Sequence, residues 1–580
     1  MTEVVVGIDF GSSSSGFAFA FCDNKDEIIH GRIYGENADH KVPTEIILDN
    51  SNKTVNFGVE CKENMKRKGS KAGHYFKDIK MKLYERKTEI QANNSEKVLP
   101  LKLVIQRVLE KLKEFAIGEI KRIRPNIQDN NIKYVVTVPA IWEEFQKNIM
   151  MEASINAGLI KEEDDKSLFF ALEPEAASYY CLNSKSIDQN LMKEGDFYII
   201  CDLGGGTGDI ITHSIGVNKN LNEICTPNGG KFGSNEINKL FFEKIIFKIF
   251  DCKDFNTYYN KYKEINTNIE DEESLYNDWF DLEKKVMEFK EGTNIQTIKK
   301  NEYYQFDFGL FKYVFNDKTE ISTLVDKYNK EVKDNNLKLK VRNKNRWAIK
   351  IPHKIIYNYI KNQVNSICKL IQEILKNDEE EINSIILVGG YCSNELLISE
   401  IKSQLSSNKI TNFFQPPNPC LSIMDGAVLF GLDPNKIKQR IAKYTFGMNV
   451  NDYWKEEVHS KNGIKYYDED DKVFRCKDCF SKFITKNQKI ELGHEIKKSY
   501  TFIGPRYCIM KFYKTNKYDP IFIYEEDIEK IGQLMFDAGK EYPPGERDNI
   551  VSIRMGGTFI DVKCKHSKSG ISIKTKLFFD

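Results

Sequence analysis

Apolar residues in this chain follow three patterns, and each predicts a different element. Unbroken apolar runs stand at Val4 to Ile8, Tyr134 to Val138, Phe197 to Cys201 and Ile385 to Val388. Runs of this kind predict strands buried on both faces. Helical spacing appears at Leu101, Val104, Ile105, Val108, Leu112 and Phe115, predicting a helix over 101–123. It returns at Ile356, Ile360, Val364, Ile367, Ile371 and Ile374, a helix with one apolar stripe. A further helix is expected from about Glu143 to Ala157, stopped at Gly158. From about Tyr444 the pattern alternates. Val551, Ile553 and Met555 oppose Ser552 and Arg554, and Ile571, Ile573, Thr575 and Leu577 oppose Ser572, Lys574 and Lys576. Alternation predicts half-buried antiparallel strands. Pro543 to Gly545 and Ser567 to Gly570 read as turns, and the chain is expected to end on a strand at Phe578, Phe579 and Asp580 with no helix after it.

Two of the buried strands run straight into an aspartate. After Phe197 to Cys201 come Asp202, Leu203, Gly204, Gly205, Gly206, Thr207 and a second apolar run. Without side chains, the three glycines let backbone N–H groups come against a phosphate. Thr207 adds a hydroxyl, and Asp202 at the strand end can reach a metal through water. The N-terminal run repeats the order with Asp9, Phe10, Gly11, Ser12 and Ser13, followed by another apolar strand from Gly16. Two such hairpins suggest a duplicated grip on a polyphosphate, with Asp9 and Asp202 facing one Mg²⁺. Mg²⁺ keeps several waters and takes few direct protein ligands. A third strand ends in Gly389 and Gly390, where flat adenosine can pack against backbone.

Between these landmarks, Val42 to Ile46 is a Pro-punctuated extended stretch, and the Lys-rich run His74 to Leu83 has an apolar side through Phe76, Ile79 and Leu83. One of its lysines can turn inward to a phosphate. Glu173 stands before Pro174, where it can point into a cleft, whereas Glu175 suits the first turn of a helix and its dipole. Asn228 to Asn235 reads as a Gly-rich turn before an amphipathic helix. Residues 251–346 read as a charged, mostly helical subdomain, and Asp425 to Gly431 as a close-packed helix.

At 580 residues the chain exceeds one ordinary core. Its 41% hydrophobic and 29% charged residues are ordinary for a globular protein. A net charge of +1 gives no broad basic field for nucleic acid. No apolar run reaches membrane-spanning length, and a strand begins too early to leave room for a signal peptide. The 13 scattered cysteines fit reduced thiols in the cytoplasm, or the nucleus as well, better than a disulfide framework. Cys476 and Cys479 form a lone C-x-x-C. A structural zinc site needs four ligands, and His494, Cys508, Cys564 and His566 complete one only if the tail folds them together. The spacing fits no compact finger, so these two cysteines are expected in an exposed turn. His213 and His353 are expected to be structural, and the acidic runs Glu270 to Glu273 and Asp468 to Asp471 to be solvated loops.

Taken in order, Asp9 to Ser13, Val138-Pro139-Ala140, Glu173-Pro174, Asp202 to Thr207, Gly389-Gly390 and Asp425-Gly426-Ala427 resemble the actin-like ATPase superfamily. Within it the chain resembles the 70-kDa heat-shock chaperones. Val138 to Trp142 and Ala171 to Ala177 resemble the atypical twelfth branch of that family. The resemblance implies an α/β fold: a duplicated, ribonuclease-H-like, bilobed ATPase domain over 1–435, with lobes of about 1–195 and 196–435. A small antiparallel β domain over 436–580 would follow, similar to a chaperone substrate-binding domain without its helical lid. It further implies Mg²⁺ and its waters organised by Asp9 and Asp202, and phosphates held by Gly11, Ser12 and Ser13 and by Gly204, Gly205, Gly206 and Thr207. Lys80 would contact the terminal phosphate, with Lys77 and Lys82 as rivals, and Glu173 would position the attacking water. Gly389, Gly390 and Tyr391 would back the adenosine, with Gly233, Lys290 and Asp425 nearby.

The implied function is an ATP-binding, slowly hydrolysing chaperone-like protein acting on polypeptide clients or regulatory proteins, with co-chaperones. A sugar-type kinase and an actin-like filament former are the rivals on the same fold. Some positions depart from the family. Serines replace the usual paired threonines of the first hairpin, and Tyr391 follows Gly390 where an arginine usually stacks on adenine. Lys147 stands for a relay arginine, and Asp433 to Lys443 has no acidic, leucine-rich linker. These departures imply weaker nucleotide binding, unless Tyr391 offers an aromatic face, and they put coupling between the domains in question.

Overall fold

The computed structural model describes all residues except 1, 34–39, 161–167, 184–191, 256, 261–269, 308–320, 342–347, 378–380, 407–409, 470–471, 492, 555–559 and 578–580. Met555 and the terminal Phe578 to Asp580 therefore lie outside the described residues.

The unbroken apolar runs become central strands. β1 (Val4–Asp9) and β2 (Ser14–Phe21) form an antiparallel hairpin with Asp9 opposite Gly16. β3 (Asn24–His30) and β4 (Lys41–Pro43) pair with β2. β5 (Ile132–Val138) lies parallel to β1, and β6 (Leu168–Leu172) parallel to β5. The sheet order is β6-β5-β1-β2-β3. A second sheet repeats this scheme with β7 (Phe197–Leu203), β8 (Gly208–Ile215), β9 (Leu221–Gly230), β10 (Ile382–Val388) and β11 (Asn412–Phe414). Its order is β11-β10-β7-β8-β9, with β7 and β8 antiparallel and β7, β10 and β11 parallel.

The second sheet does not end there. β12 (Ile437–Ile441) pairs parallel to β9, and a short strand, Lys489–Glu491, pairs with β12 at the edge. The boundary expected between 435 and 436 is thus crossed by two strands hydrogen-bonded into the preceding sheet. Arg440 on β12 also reaches back to Glu175, 2.7 Å away, in the helix Glu173–Asn183.

Helices cover the sheets as their stripes require. Leu101–Ile123 buries Val104, Ile105, Val108 and Leu112. Lys354–Asn377 buries Ile356, Ile360, Val364 and Ile367. The helix Ser422–Leu432 packs against Glu173–Asn183 so closely that a Cβ on Gly426 would stand 1.7 Å from the Ala176 carbonyl oxygen. Residues 251–346 are not simply helical. They hold the helices Glu270–Glu291 and Ile321–Glu331, and the strands Tyr303–Asp307 and Lys340–Val341, which form a three-stranded sheet with the following Ala348–Pro352. The acidic run at Glu270 begins a helix rather than a loop, because the apolar residues after it (Leu275, Tyr276, Trp279, Phe280) recur at helical spacing and are buried. Asn228 to Gly230 finish β9 instead of forming a turn.

Beyond β12 the strands of the tail pair antiparallel, with one short helix, Glu456–His459, among them. One sheet of five strands contains β13 (Thr445–Tyr453), β14 (Ile464–Asp468) and β15 (Val473–Ile484), and a four-stranded sheet contains Asp548–Arg554 and Ile560–His566. Phe446, Phe512, Phe536, Val551 and Val562 share its core. Val551 and Ile553 point inward as their alternation predicts, but Ile573, on the edge strand Ser572–Leu577, is 36% exposed, and Ile571, just before that strand, is 40% exposed. The tail rests on the start of the helix Glu144–Asn156. There Glu143 accepts from the Tyr444 hydroxyl at 2.9 Å and faces Lys514 at 3.5 Å. Among the described residues no helix is long and apolar enough to cross a membrane.

Candidate functional site

The two aspartate-tipped hairpins meet at one cleft of about 760 Å³. It is lined by Asp9 and Gly11 to Ser13 from the first hairpin and by Asp202 and Gly204 to Thr207 from the second. Lys77, Lys80, Lys82, Glu173, Lys290, Gly389, Gly390 and Tyr391 also line it. The two glycine turns touch. A Cβ on Gly205 would stand 1.9 Å from Ser13 Oγ, and one on Gly206 2.5 Å from Ser12 Oγ. Only bare backbone lets the loops approach this closely. The second turn is closed by the Gly204 amide donating to the Thr207 carbonyl at 3.0 Å. It is braced from behind by the amides of Ser234 and Asn235, which donate to the carbonyls of Gly204 and Gly205 at 3.1 and 2.8 Å.

At the base of the cleft lies a buried group of charges. Lys80, 4% exposed, forms an ion pair with Glu173, 5% exposed. Its rivals are placed differently: Lys77 is held by Glu283 at 2.7 Å, and Lys82 lies near Glu85 at 3.9 Å, half-exposed. Burial pushes Glu173 up to about 7, against the pull of Lys80. Asp209, which accepts the Ile141 amide at 3.0 Å, is pushed up to about 6, chiefly by burial. Asp202 is raised well above the ordinary carboxylate range by burial and by the neighbouring Glu173 and Asp209. Its Oδ1 is buried with no hydrogen-bond partner, an arrangement that costs free energy unless something donates to it or coordinates it. Asp9 is better served, taking Lys41 on one oxygen and the Thr137 hydroxyl at 3.2 Å on the other.

These residues fit a hydrated Mg²⁺. The donors are hard carboxylate oxygens, and one of them is unpartnered. Among the described residues no three carboxylate oxygens of the cleft gather within 4.8 Å of one another, so a cation there would be held largely through water.

Not every expected residue faces the cleft. Gly233 lies behind the second turn, where a Cβ would stand 2.3 Å from the Gly205 carbonyl oxygen. The absence of a side chain there lets the two segments pack. Asp425 is turned away to His30 Nε2 at 2.7 Å. Tyr391 lines the cleft, but its hydroxyl is tied to Gln363 Oε1 at 3.1 Å. Lys290 is buried and lowered to about 8 for that reason. Sequence reasoning missed Lys41, Glu45, Lys62 and Glu283. Lys41 sits on a three-residue strand, and the other three form a charge cluster with Lys77 that only tertiary packing assembles. Lys147 pairs locally with Glu144 at 3.5 Å. His213, bonded to Ser178 at 3.0 Å and lowered to about 3 by burial, and His353, bonded to Thr293 at 2.8 Å, are structural.

In the tail the paired cysteines differ from expectation. Cys476 and Cys479 are buried in β15, not exposed in a turn. His494, Cys508, Cys564 and His566 do not join them; His459 does.

No family model matches the chain. Along its whole length it is similar to proteins of the 70-kDa heat-shock family, those of the twelfth branch. It is 27% identical over 664 residues to heat shock 70 kDa protein 12A of Mus musculus, covering 99% of this chain and 91% of that one. It is 25% identical over 666 residues to heat shock 70 kDa protein 12B of Homo sapiens, covering 100% and 91%. A chaperone protein HscA homolog of Rickettsia typhi is 26% identical over 290 residues, 49% of this chain and 45% of that protein. The mixed α/β architecture agrees with a family of ATP-binding proteins.

Proposed function

We propose that this chain is a weak Mg-ATP hydrolase of the cytoplasm, coupled to the binding of polypeptide clients or regulatory proteins with the help of co-chaperones. The repeated sheet order supports a duplicated, bilobed actin-like domain over about 1–435, and the β-rich tail from about 436 would be the client-binding part. All 13 cysteines are free, in keeping with a reducing compartment.

The observation that carries the reading is the meeting of both hairpins at one cleft, with a buried, unpartnered Asp202 oxygen between them. Triphosphate would lie against the amides of Gly204 to Thr207 and the hydroxyls of Ser12 and Ser13. Adenosine would lie against Gly389 and Gly390, where a Cβ on Gly390 would meet nothing nearer than Cys420 at 4.0 Å. Mg²⁺, held by Asp9 and Asp202 through water, would supply charge neutralisation on the phosphates. Glu173 would orient the attacking water and take its proton, and Lys80 would turn from Glu173 to the terminal phosphate as negative charge builds there. Such chemistry is positioning and electrostatics, with little covalent work.

The test is ATP hydrolysis and nucleotide binding with and without unfolded peptide, for wild type and Thr207→Ala. Turnover in the wild type, and a loss of about 100-fold in the variant, is the expected result. Unchanged binding and turnover in Thr207→Ala would remove the site. Phosphoryl transfer to a sugar instead of water would favour the kinase reading, and ATP-dependent light scattering the filament reading.

A further inference from the structure

Residues three apart on a regular strand face opposite sides of the sheet. Cys476 and Cys479 escape that rule because β15 is bulged between them. On the facing strand β13, Cys476 lies opposite Asp452 and Cys479 opposite Val450. Three steps on one strand thus match two on the other, which is one extra residue. Asp478 absorbs it with φ of 59°. Asn449 Nδ2 donates to the Asp478 carboxylate at 2.9 Å, and the Asp478 amide donates to Asn451 Oδ1 at 3.3 Å. The bulge is therefore held from both sides, and it turns both thiols to one face.

Onto that face the one-turn helix Glu456–His459 brings an imidazole, with His459 Nε2 3.9 Å from Cys479 Sγ. The ligating atoms of Cys476, Cys479 and His459 all lie within 4.8 Å of one another, and the three residues are 0%, 5% and 2% exposed. Phe522, Val450 and Trp454 pack around the thiols.

We propose that these three residues hold one zinc ion, with water in the fourth position. Among the described residues the group contains no carboxylate, which sets aside Mg²⁺ and Ca²⁺. Two thiolates and a neutral imidazole around Zn²⁺ sum to zero charge, which a buried, largely apolar pocket tolerates; a monovalent copper ion would leave a net negative charge there. The proton balance is definite. Without metal, His459 Nδ1 accepts the Lys455 amide at 3.1 Å, so the ring proton sits on Nε2, toward Cys479. Zinc at Nε2 sends that proton to Nδ1, breaks the Lys455 contact and displaces both thiol protons to solvent. Zinc uptake therefore releases two protons per ion and moves the 455–459 turn. The inference is independent of the nucleotide cleft.

The experiment uses the full chain, reduced and stripped of metal, then equilibrated with zinc chloride and with cobalt chloride. One zinc per chain after dialysis, and a thiolate-to-cobalt charge-transfer band, are expected. Cys476→Ser with Cys479→Ser should abolish both while nucleotide binding is retained, and His459→Ala should weaken zinc about tenfold or more. Cys508→Ser with Cys564→Ser should leave zinc unchanged. The proposal is overturned if the wild type retains no zinc, or if the Cys476, Cys479 double variant retains as much as the wild type. It is equally overturned if the two thiols prove to be a disulfide under conditions where the other cysteines remain reduced.

Discussion

Asp9 and Asp202 close corresponding strands of two sheets built in the same order, yet their surroundings differ. Asp9 has Lys41 on one oxygen and Thr137 on the other. Asp202 keeps Oδ1 buried without a partner and sits among Glu173 and Asp209. Lys41 comes from a short strand paired with β2, and in the second sheet the neighbours of β8 bring no lysine to Asp202. A similar local motif thus sets the turn and the direction of the carboxylate. The strands placed beside it decide whether that carboxylate is already satisfied or left open to a cation.

The largest effect should come from forcing the hairpins apart. Gly205→Val puts carbon where Ser13 Oγ lies, and such overpacking costs about 1–3 kcal/mol, or roughly 10- to 100-fold in ATP affinity. Calorimetric titration reads this directly; an unchanged Kd would mean the loops need not touch. Next in size is the pH response of Glu173. With its carboxyl raised to about 7, kcat/KM should climb about tenfold per pH unit below that value and level off above it. Glu173→Gln should flatten the profile and lower it. The same shift acts on stability with a definite sign. A carboxylate raised from 4.5 to about 7 favours the fold below pH 4.5, and that contribution disappears as pH rises through 7. Thermal unfolding of the nucleotide-free chain should show the decline, and Glu173→Gln should lack it. The smallest effect tests the lysine that distinguishes the hairpins. Lys41→Met frees Asp9, so the Mg²⁺ concentration for half-maximal turnover should fall about two- to fivefold, the scale of a weak ion pair. A rise would show that Lys41 serves the phosphates instead.

Much of this was legible in the residues. The uninterrupted apolar runs ending in Asp9 and Asp202, and the stripes at Leu101 to Ile123 and Ile356 to Ile374, marked strands and helices found where expected. Long runs bury themselves wherever they fold, so the pattern suffices. What was hidden depends on distant partners. Nothing local announces that Ile437 to Ile441 will join β9, since five residues alternate weakly and gain their order from the sheet edge. Asp425 carries a plausible motif, but helix packing turns it to His30. Cys476 and Cys479 read as a turn because the bulge at Asp478, which puts them on one face, is fixed by asparagines on another strand.

The most direct measurement is a double-mutant cycle between the hairpins: Kd for ATP, in Mg²⁺ and in chelator, for Asp9→Asn, Asp202→Asn and the pair. If both carboxylates serve one hydrated cation, each single change should weaken Mg-ATP binding about tenfold. The pair should then lose little more than either alone, with no coupling in chelator. Strict additivity, about 100-fold for the pair with and without Mg²⁺, would contradict a shared metal.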